Sequence, residues 1–139
     1  MERIKDGYLD TIQATVSFPG TRVLEIGCGN GARTVQIAEH CSEVIAIDPN
    51  IEAIENARIE RSRSNISYRE GVADQLIFEA QSFDIVLFTL SFHHVPIEKM
   101  SRAINEALRV VKSQGHIIFL EPSFTGSFFD AEIQFDACD

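Results

Sequence analysis

Val23-Leu24-Glu25-Ile26-Gly27-Cys28-Gly29-Asn30-Gly31 decides the fold of this 139-residue chain. Val23 to Ile26 is a short, mostly apolar run that predicts a buried strand. It breaks into three glycines on alternate positions, and Ala32 to His40 then predicts a helix. Strand, glycine turn and helix make a nucleotide-type binding corner, because a Cβ would block both the tight turn and close approach of the backbone to a ligand. Downstream, Val44-Ile45-Ala46-Ile47-Asp48 is a second apolar run ending in a carboxylate. Asp48 lies 21 residues after Gly27, about the separation at which an acidic side chain takes a ribose diol.

Two cofactor classes fit this pair of features. A loose dinucleotide pattern would accept G-x-G-x-G with Ala32 at its sixth position. Glu25 separates the two. A dinucleotide site presents helix N–H groups to a pyrophosphate, which a carboxylate at the strand end would repel. S-adenosyl-L-methionine has no phosphate and carries an ammonium and a sulfonium, so a nearby carboxylate suits it. Glu25-Ile26-Gly27-Cys28-Gly29-Asn30-Gly31 matches the E/D-x-G-x-G-x-G motif at every fixed position, and the sequence resembles the class I, Rossmann-like methyltransferases of the type-11, small-molecule group. An oxidoreductase using NAD is the competing enzyme class; Glu25 and the lack of a Tyr-x-x-x-Lys pair count against it.

The resemblance implies S-adenosyl-L-methionine as cofactor and S-adenosyl-L-homocysteine as product. Gly27, Gly29 and Gly31 would let the loop backbone approach the methionyl and ribose groups. Glu25 would help place the ammonium, directly or through water, and Asp48, with Pro49 beside it, would accept both ribose hydroxyls. Cys28 would offer its backbone and a small side chain; no partner supports a nucleophilic role for it. Many members carry G-D-A-x-x-L where this chain has Gly71-Val72-Ala73-Asp74-Gln75-Leu76, their Asp accepting from the adenine amino group. Here Val72 stands at that position. Either Asp74, next to Ala73, takes over, or a backbone group does, or adenine is held less specifically; Asp74 also reads as a turn residue or helix cap.

Ser82 to Phe88 predicts a strand buried on both faces, ending in Thr89-Leu90-Ser91-Phe92-His93-His94. In the family that segment borders the transfer cleft, so Thr89 to His94 would border the sulfonium. Ligands in such sheets sit beyond the carboxyl ends of the strands. Side chains at i and i+1 diverge, so at most one of His93 and His94 should face the cleft. That one would be a general base near neutral pH, or both simply cap and pack. No third ligand at matching spacing makes a metal site of them, since His40 and His116 lie elsewhere.

The rest of the chain supports an α/β, three-layer, doubly wound and mostly parallel sheet. Ile4, Tyr8, Ile12 and Val16 step by four, predicting an amphipathic helix over residues 2–17, a lid or a core-covering element within an N-terminal segment 1–19. Asn50 is a candidate N-cap for a helix from Ile51 to Arg61 with Ile51, Ile54 and Ala57 inward. Ile66 to Glu70 alternates, as a strand near a sheet edge does. Pro96 opens a helix to Lys112 with Met100, Ile104, Leu108 and Val111 on one face and Gly115 ending it. Gly115 to Pro122 is a fifth strand carrying Glu121 at its carboxyl end, where it faces the substrate pocket or caps the strand exit.

Residues 20–122 thus form the cofactor-binding core. From Ser123 no period emerges among Phe124, Phe128, Phe129 and Phe135. The family's fold continues with a helix and an antiparallel strand pair, and about 17 residues are too few for them. The sheet is therefore expected to lack strands 6 and 7, and 123–139 to be an aromatic, acidic tail. The strand-five edge or that tail would suit a homodimer.

A net charge of −9 without Lys/Arg clusters argues against a nucleic-acid surface. Three cysteines with no C-x-x-C pair suggest a reducing compartment, and a charged start and no membrane-length apolar run suggest a cytoplasmic protein. The expected activity is methyl transfer to a small molecule. The alternative is a truncated, non-catalytic S-adenosyl-L-methionine or nucleotide-binding module, regulatory or partner to a complete enzyme, which Val72 and the short C-terminal region favour.

Overall fold

The computed structural model describes residues 7–89, 91–122 and 129–136, with side chains through Leu120. The elements run α1 (Tyr8–Gln13), β1 (Arg22–Ile26), α2 (Thr34–Ala38), β2 (Glu43–Asp48), α3 (Ile51–Glu60), β3 (Ile66–Glu70), β4 (Phe83–Thr89), a 3₁₀ turn (Phe92–His94), α4 (Ile97–Val110), β5 (Val111–Pro122) and β6 (Phe129–Asp136). The sheet order is β3-β2-β1-β4-β5-β6. β1 to β5 are parallel, and β6 is antiparallel to β5. The chain leaves β1 in one direction for β2 and β3, and resumes on its other side with β4. The crevice beyond the carboxyl ends of β1 and β4 is therefore the topological switch point.

Strand alternation builds the three layers. Val23, Val44, Ile85 and Ile118 face a core shared with Ile12, Ile37 and Ile54 from α1, α2 and α3. Leu24, Ile45, Val86 and Ile117 face a second core with Leu76 and with Ala107 and Val110 of α4. Tyr8, Ile12 and Val16 are buried in the first core, which is the core-covering role for α1. Asn50 caps α3 as expected, its side-chain oxygen accepting from the backbone N–H groups of Glu52 and Ala53.

Several expectations need correction. α2 is shorter than Ala32–His40, because left-handed backbone at Gly27, Gly29 and Gly31 delays the first helical turn. Ile51 is exposed, since the N-terminal turn of α3 projects beyond the sheet and leaves Ile54 and Ala57 to face it. α4 buries Ala103, Ala107 and Val110; of the expected stripe, Val111 is buried, Ile104 packs half-buried against the second core, and Leu108 is off that face. Small residues on that face let the helix lie close to the sheet, and Leu108 is left exposed.

β5 begins at Val111, four residues before Gly115. Val111 pairs with Phe83, the register shifts, and pairing resumes at Ile85 with His116. Gly115 serves that irregularity rather than ending α4: a Cβ there would lie 2.5 Å from the Asp84 carbonyl oxygen.

The tail holds one strand more than expected. Residues 129–136 pair along β5 from His116 to Pro122. The strand-five edge proposed for a second copy is thus already occupied by the chain's own β6. Antiparallel return satisfies the edge N–H and C=O groups that β5 would otherwise present. The side chains of Glu121, Phe129 and Phe135, and residues 123–128 with Phe124 and Phe128, lie outside the described residues.

Candidate functional site

The glycine turn joins β1 to α2, and its three glycines answer to three different demands. Gly27 has φ +85°, and a Cβ on it would lie 2.1 Å from Ser91 Cβ. Gly31 has φ +85°, and a Cβ there would lie 2.6 Å from the Tyr68 hydroxyl oxygen. Gly29, at φ +55°, faces open space. Two glycines admit neighbouring side chains of the protein; Gly29 leaves a bare backbone surface. The turn is tied to β2 by the Gly27 and Cys28 N–H groups, both donating to the Ile47 carbonyl at 2.8 and 3.0 Å.

Glu25 sits beneath the turn with no exposed surface. Thr34 Oγ1 donates to its Oε1 at 2.5 Å, and Thr89 Oγ1 lies 2.6 Å from Oε2. Burial raises the Glu25 carboxyl above its ordinary value, outweighing the opposing effects of the two threonines and Arg33. This enclosure turns the Glu25 carboxyl toward Thr34 and Thr89 and leaves it no exposed surface. Thr89, expected at the cleft, is likewise buried and turned toward Glu25. Cys28 is buried, and desolvation, aided by Glu25 and Asp48, pushes its thiol up, which suits packing and not nucleophilic chemistry.

Asp48 stands at the end of β2. Its Oδ2 accepts from the Gly29 N–H and its Oδ1 from the Asn50 N–H, both at 2.9 Å. These bonds fix the carboxylate over the turn and leave further lone pairs for a ligand's hydroxyls.

A cavity of about 350 Å³ opens at this end of the sheet. Gly27, Asp48, Pro49, Ala73, Asp74 and His94 line it, so six of the twelve residues singled out in the sequence come together there. Asp74 is partly buried and lies 3.8 Å from the Arg102 guanidinium. His94 lines the cavity and His93 is not among its lining residues, in keeping with one histidine facing the cleft. Their rings do not diverge, however. The 3₁₀ turn brings the centroids to 4.1 Å at 42°.

Sequence reasoning missed Ile26, Val95, Pro96 and Lys99 in the lining. Gly71 and Val72 belong to the segment expected at the adenine. Ser91 lies in the Thr89–His94 segment expected at the cleft. Its hydroxyl donates to the Ile26 carbonyl at 2.6 Å and so bridges the two switch-point strands. Lys99, a turn into α4, carried no signal. It adds a cation to the cavity lining.

A family model described as a methyltransferase domain matches residues 24–119. YcgJ of Bacillus subtilis, an uncharacterized methyltransferase, is 30% identical over 103 residues, covering 72% of this chain and 40% of YcgJ. A solved structure of YcgJ superposes with a TM-score of 0.70 at 28% identity, over 80% of this chain and 48% of that one. The ubiquinone biosynthesis O-methyltransferase of Hahella chejuensis is 32% identical over 114 residues, covering 80% of this chain and 47% of the relative. The chain therefore spans less than half the length of these curated relatives. The [4+2]-cyclase SpnF shares the fold at a TM-score of 0.72 and 26% identity, over 82% of this chain and 44% of that one.

Proposed function

The chain belongs to the methyltransferase-domain family, and from that premise we propose that it binds S-adenosyl-L-methionine in the cavity at the strand ends and transfers its methyl group to a small-molecule acceptor. The observation that carries this reading is Asp48, anchored over an open-faced Gly29 in the wall of that cavity. The residues present fit such a cofactor. The volume lies in the range of small-ligand sites. Two carboxylates in the wall, Asp48 and Asp74, oppose a pyrophosphate and suit a cationic, phosphate-free ligand.

Bound there, the cofactor supplies an electrophilic methyl group on a sulfonium, S-adenosyl-L-homocysteine being the product. Asp48 accepts from the ribose hydroxyls through its remaining lone pairs. Asp74 or the backbone of 71–73 receives the adenine amino group. Ser91 to Pro96 closes the side next to β4, limits water, and sets the His94 imidazole where it can take a proton from the acceptor. Alignment and desolvation supply most of the acceleration.

The test is thermal unfolding with S-adenosyl-L-methionine, S-adenosyl-L-homocysteine and NAD titrated separately. A ligand at a hundredfold excess over its Kd stabilises by about 2.7 kcal/mol. The two adenosyl ligands should raise Tm, and Asp48→Ala should abolish the shift. A shift with NAD alone overturns the reading.

A second reading, ligand binding without methyl transfer, draws on the fold shared with a [4+2]-cyclase. Release of S-adenosyl-L-homocysteine in the presence of a panel of small oxygen, nitrogen and carbon nucleophiles separates the two.

A further inference from the structure

Glu25, Thr34 and Thr89 are the buried polar side chains among the described residues, and they touch one another. They come from three elements that converge under the glycine turn: the end of β1, the first residue of α2 and the last residue of β4. Thr89 Oγ1 also lies 3.3 Å from the Gly27 carbonyl oxygen. A neutral carboxyl satisfies every group in this arrangement. With the carboxyl neutral, Oε2–H would donate to Thr89 Oγ1, whose own hydrogen would turn to the Gly27 carbonyl, while Thr34 donates to Oε1; with it ionised, both threonines donate to it. The charged groups acting on Glu25, Arg33 and Asp48, have opposite signs and pull in opposite directions.

The geometry points to Glu25, Thr34 and Thr89 as an internal strut that sets the glycine turn, making no contact with the ligand's ammonium group. Thr34 and Thr89 are then positioning residues. They act through Glu25 on the backbone that carries Gly27 to Gly31, and so on the cavity wall. Glu25 acts in this strut through its reach between two hydroxyls. The strut does not depend on which ligand binds; only the statement about the ammonium rests on the proposed cofactor.

Amide hydrogen exchange in the ligand-free protein tests the strut directly. The reporters are the N–H groups of Gly27, Cys28, Gly29 and Gly31, bonded to Ile47, Asp48 and Cys28. Glu25→Ala, Thr34→Val and Thr89→Val should each speed their exchange by about tenfold or more, selectively over the strand cores. Glu25→Gln keeps the neutral shape and its hydrogen bonds, and should bring exchange back to within about threefold of wild type. Unchanged exchange in both near-isosteric threonine variants overturns the strut, whether or not Glu25→Ala folds.

Calorimetry with S-adenosyl-L-homocysteine and 5′-methylthioadenosine, which lacks the amino-acid arm, tests the ammonium. Glu25→Gln should change both affinities by the same factor. A tenfold loss for the first with none for the second overturns that half of the proposal. If neither ligand binds wild type, the cofactor reading falls, and the exchange result still decides the strut.

Discussion

The cavity has two walls, and they are held in different ways. The wall made by β1, the glycine turn and β2 is locked from within. Backbone bonds run from Gly27 and Cys28 to Ile47, Asp48 accepts from Gly29, and Glu25 lies beneath. The opposite wall, made of residues 71–74 and 91–99, is held from outside. The Arg109 guanidinium donates to the Leu76 and Phe78 carbonyls at 2.8 and 2.6 Å, and Glu106 accepts from the Leu76 N–H at 2.8 Å. Phe92 packs edge-on against Phe88 and Phe119 at 5.4 and 4.9 Å. Partners in the first wall are mostly backbone groups of the turn and of β2, joined by Thr34, Thr89 and Ser91. Those fixing residues 76–78 come from α4, 30 to 33 positions along the chain. A wall closed by backbone bonds and buried side chains should break sharply at single positions, whereas one held by half-buried side chains of a helix should loosen gradually.

The sharpest break is expected at Gly27, which lies against Ser91 of the other wall. Gly27→Ala adds a methyl 2.1 Å from Ser91 Cβ in a left-handed backbone, and should cost about 2–4 kcal/mol of unfolding free energy. The double variant with Ser91→Gly removes the overlap and should recover about half, leaving the conformational part. Gly29→Ala meets nothing, so only the left-handed backbone penalises it, by about 1–2 kcal/mol. Urea unfolding of the four proteins checks the ranking; equal losses at Gly27 and Gly29 would erase the distinction.

The distant wall should respond more softly. Arg109→Ala unties the carbonyls of Leu76 and Phe78, which are free to take water instead, so a loss of about 1–2 kcal/mol is expected. Its pH signature has a definite sign. Arg109 holds the Glu106 carboxyl below its ordinary value of 4.5, so the pair contributes stability above that pH. That contribution is lost as pH falls through the lower folded value. The stability gap between wild type and Glu106→Gln should therefore be constant near neutrality and narrow below about pH 4.5. A gap that widens on acidification would mean that Glu106 is not ion-paired in solution.

The same contrast explains what could be read in the sequence. The β1–turn–α2 corner, the five parallel strands and Asp48 were legible because apolar runs, glycine spacing and a strand-terminal carboxylate are local signals. The enclosure of Glu25 was not, since Thr34 and Thr89 lie 9 and 64 residues away and a motif carries no record of burial. Lys99 entered the cavity through the path of the chain after β4, which no period encodes. The helical period of α4 misled in part, because Ala103 and Ala107 take the face against the sheet and Leu108 does not. Residues 129–136 alternate strictly, Phe129-Asp130-Ala131-Glu132-Ile133-Gln134-Phe135-Asp136, so this strand was legible; counting only the phenylalanines hid its period.

The smallest effect expected concerns the soft wall's part in choosing the ligand. Val72 is exposed and lines the cavity where the resembling methyltransferases carry an acceptor for the adenine amino group, and Asp74 lies two residues on in the same wall. If Asp74 has taken over that bond, Asp74→Asn still offers a neutral oxygen and should weaken S-adenosyl-L-homocysteine only about three- to tenfold. Asp74→Ala should weaken it by more, and Val72→Asp added to Asp74→Ala should recover most of the loss. An inosine analogue of the ligand, whose ring carries a carbonyl in place of the amino group, should be insensitive to all three changes. If Asp74→Ala leaves the adenosine ligand untouched, then Asp74 serves Arg102 alone at 3.8 Å, and the soft wall supplies shape while Asp48 supplies recognition. Isothermal calorimetry on the same preparations separates the two cases, because Arg102→Ala should then lower stability slightly without changing affinity.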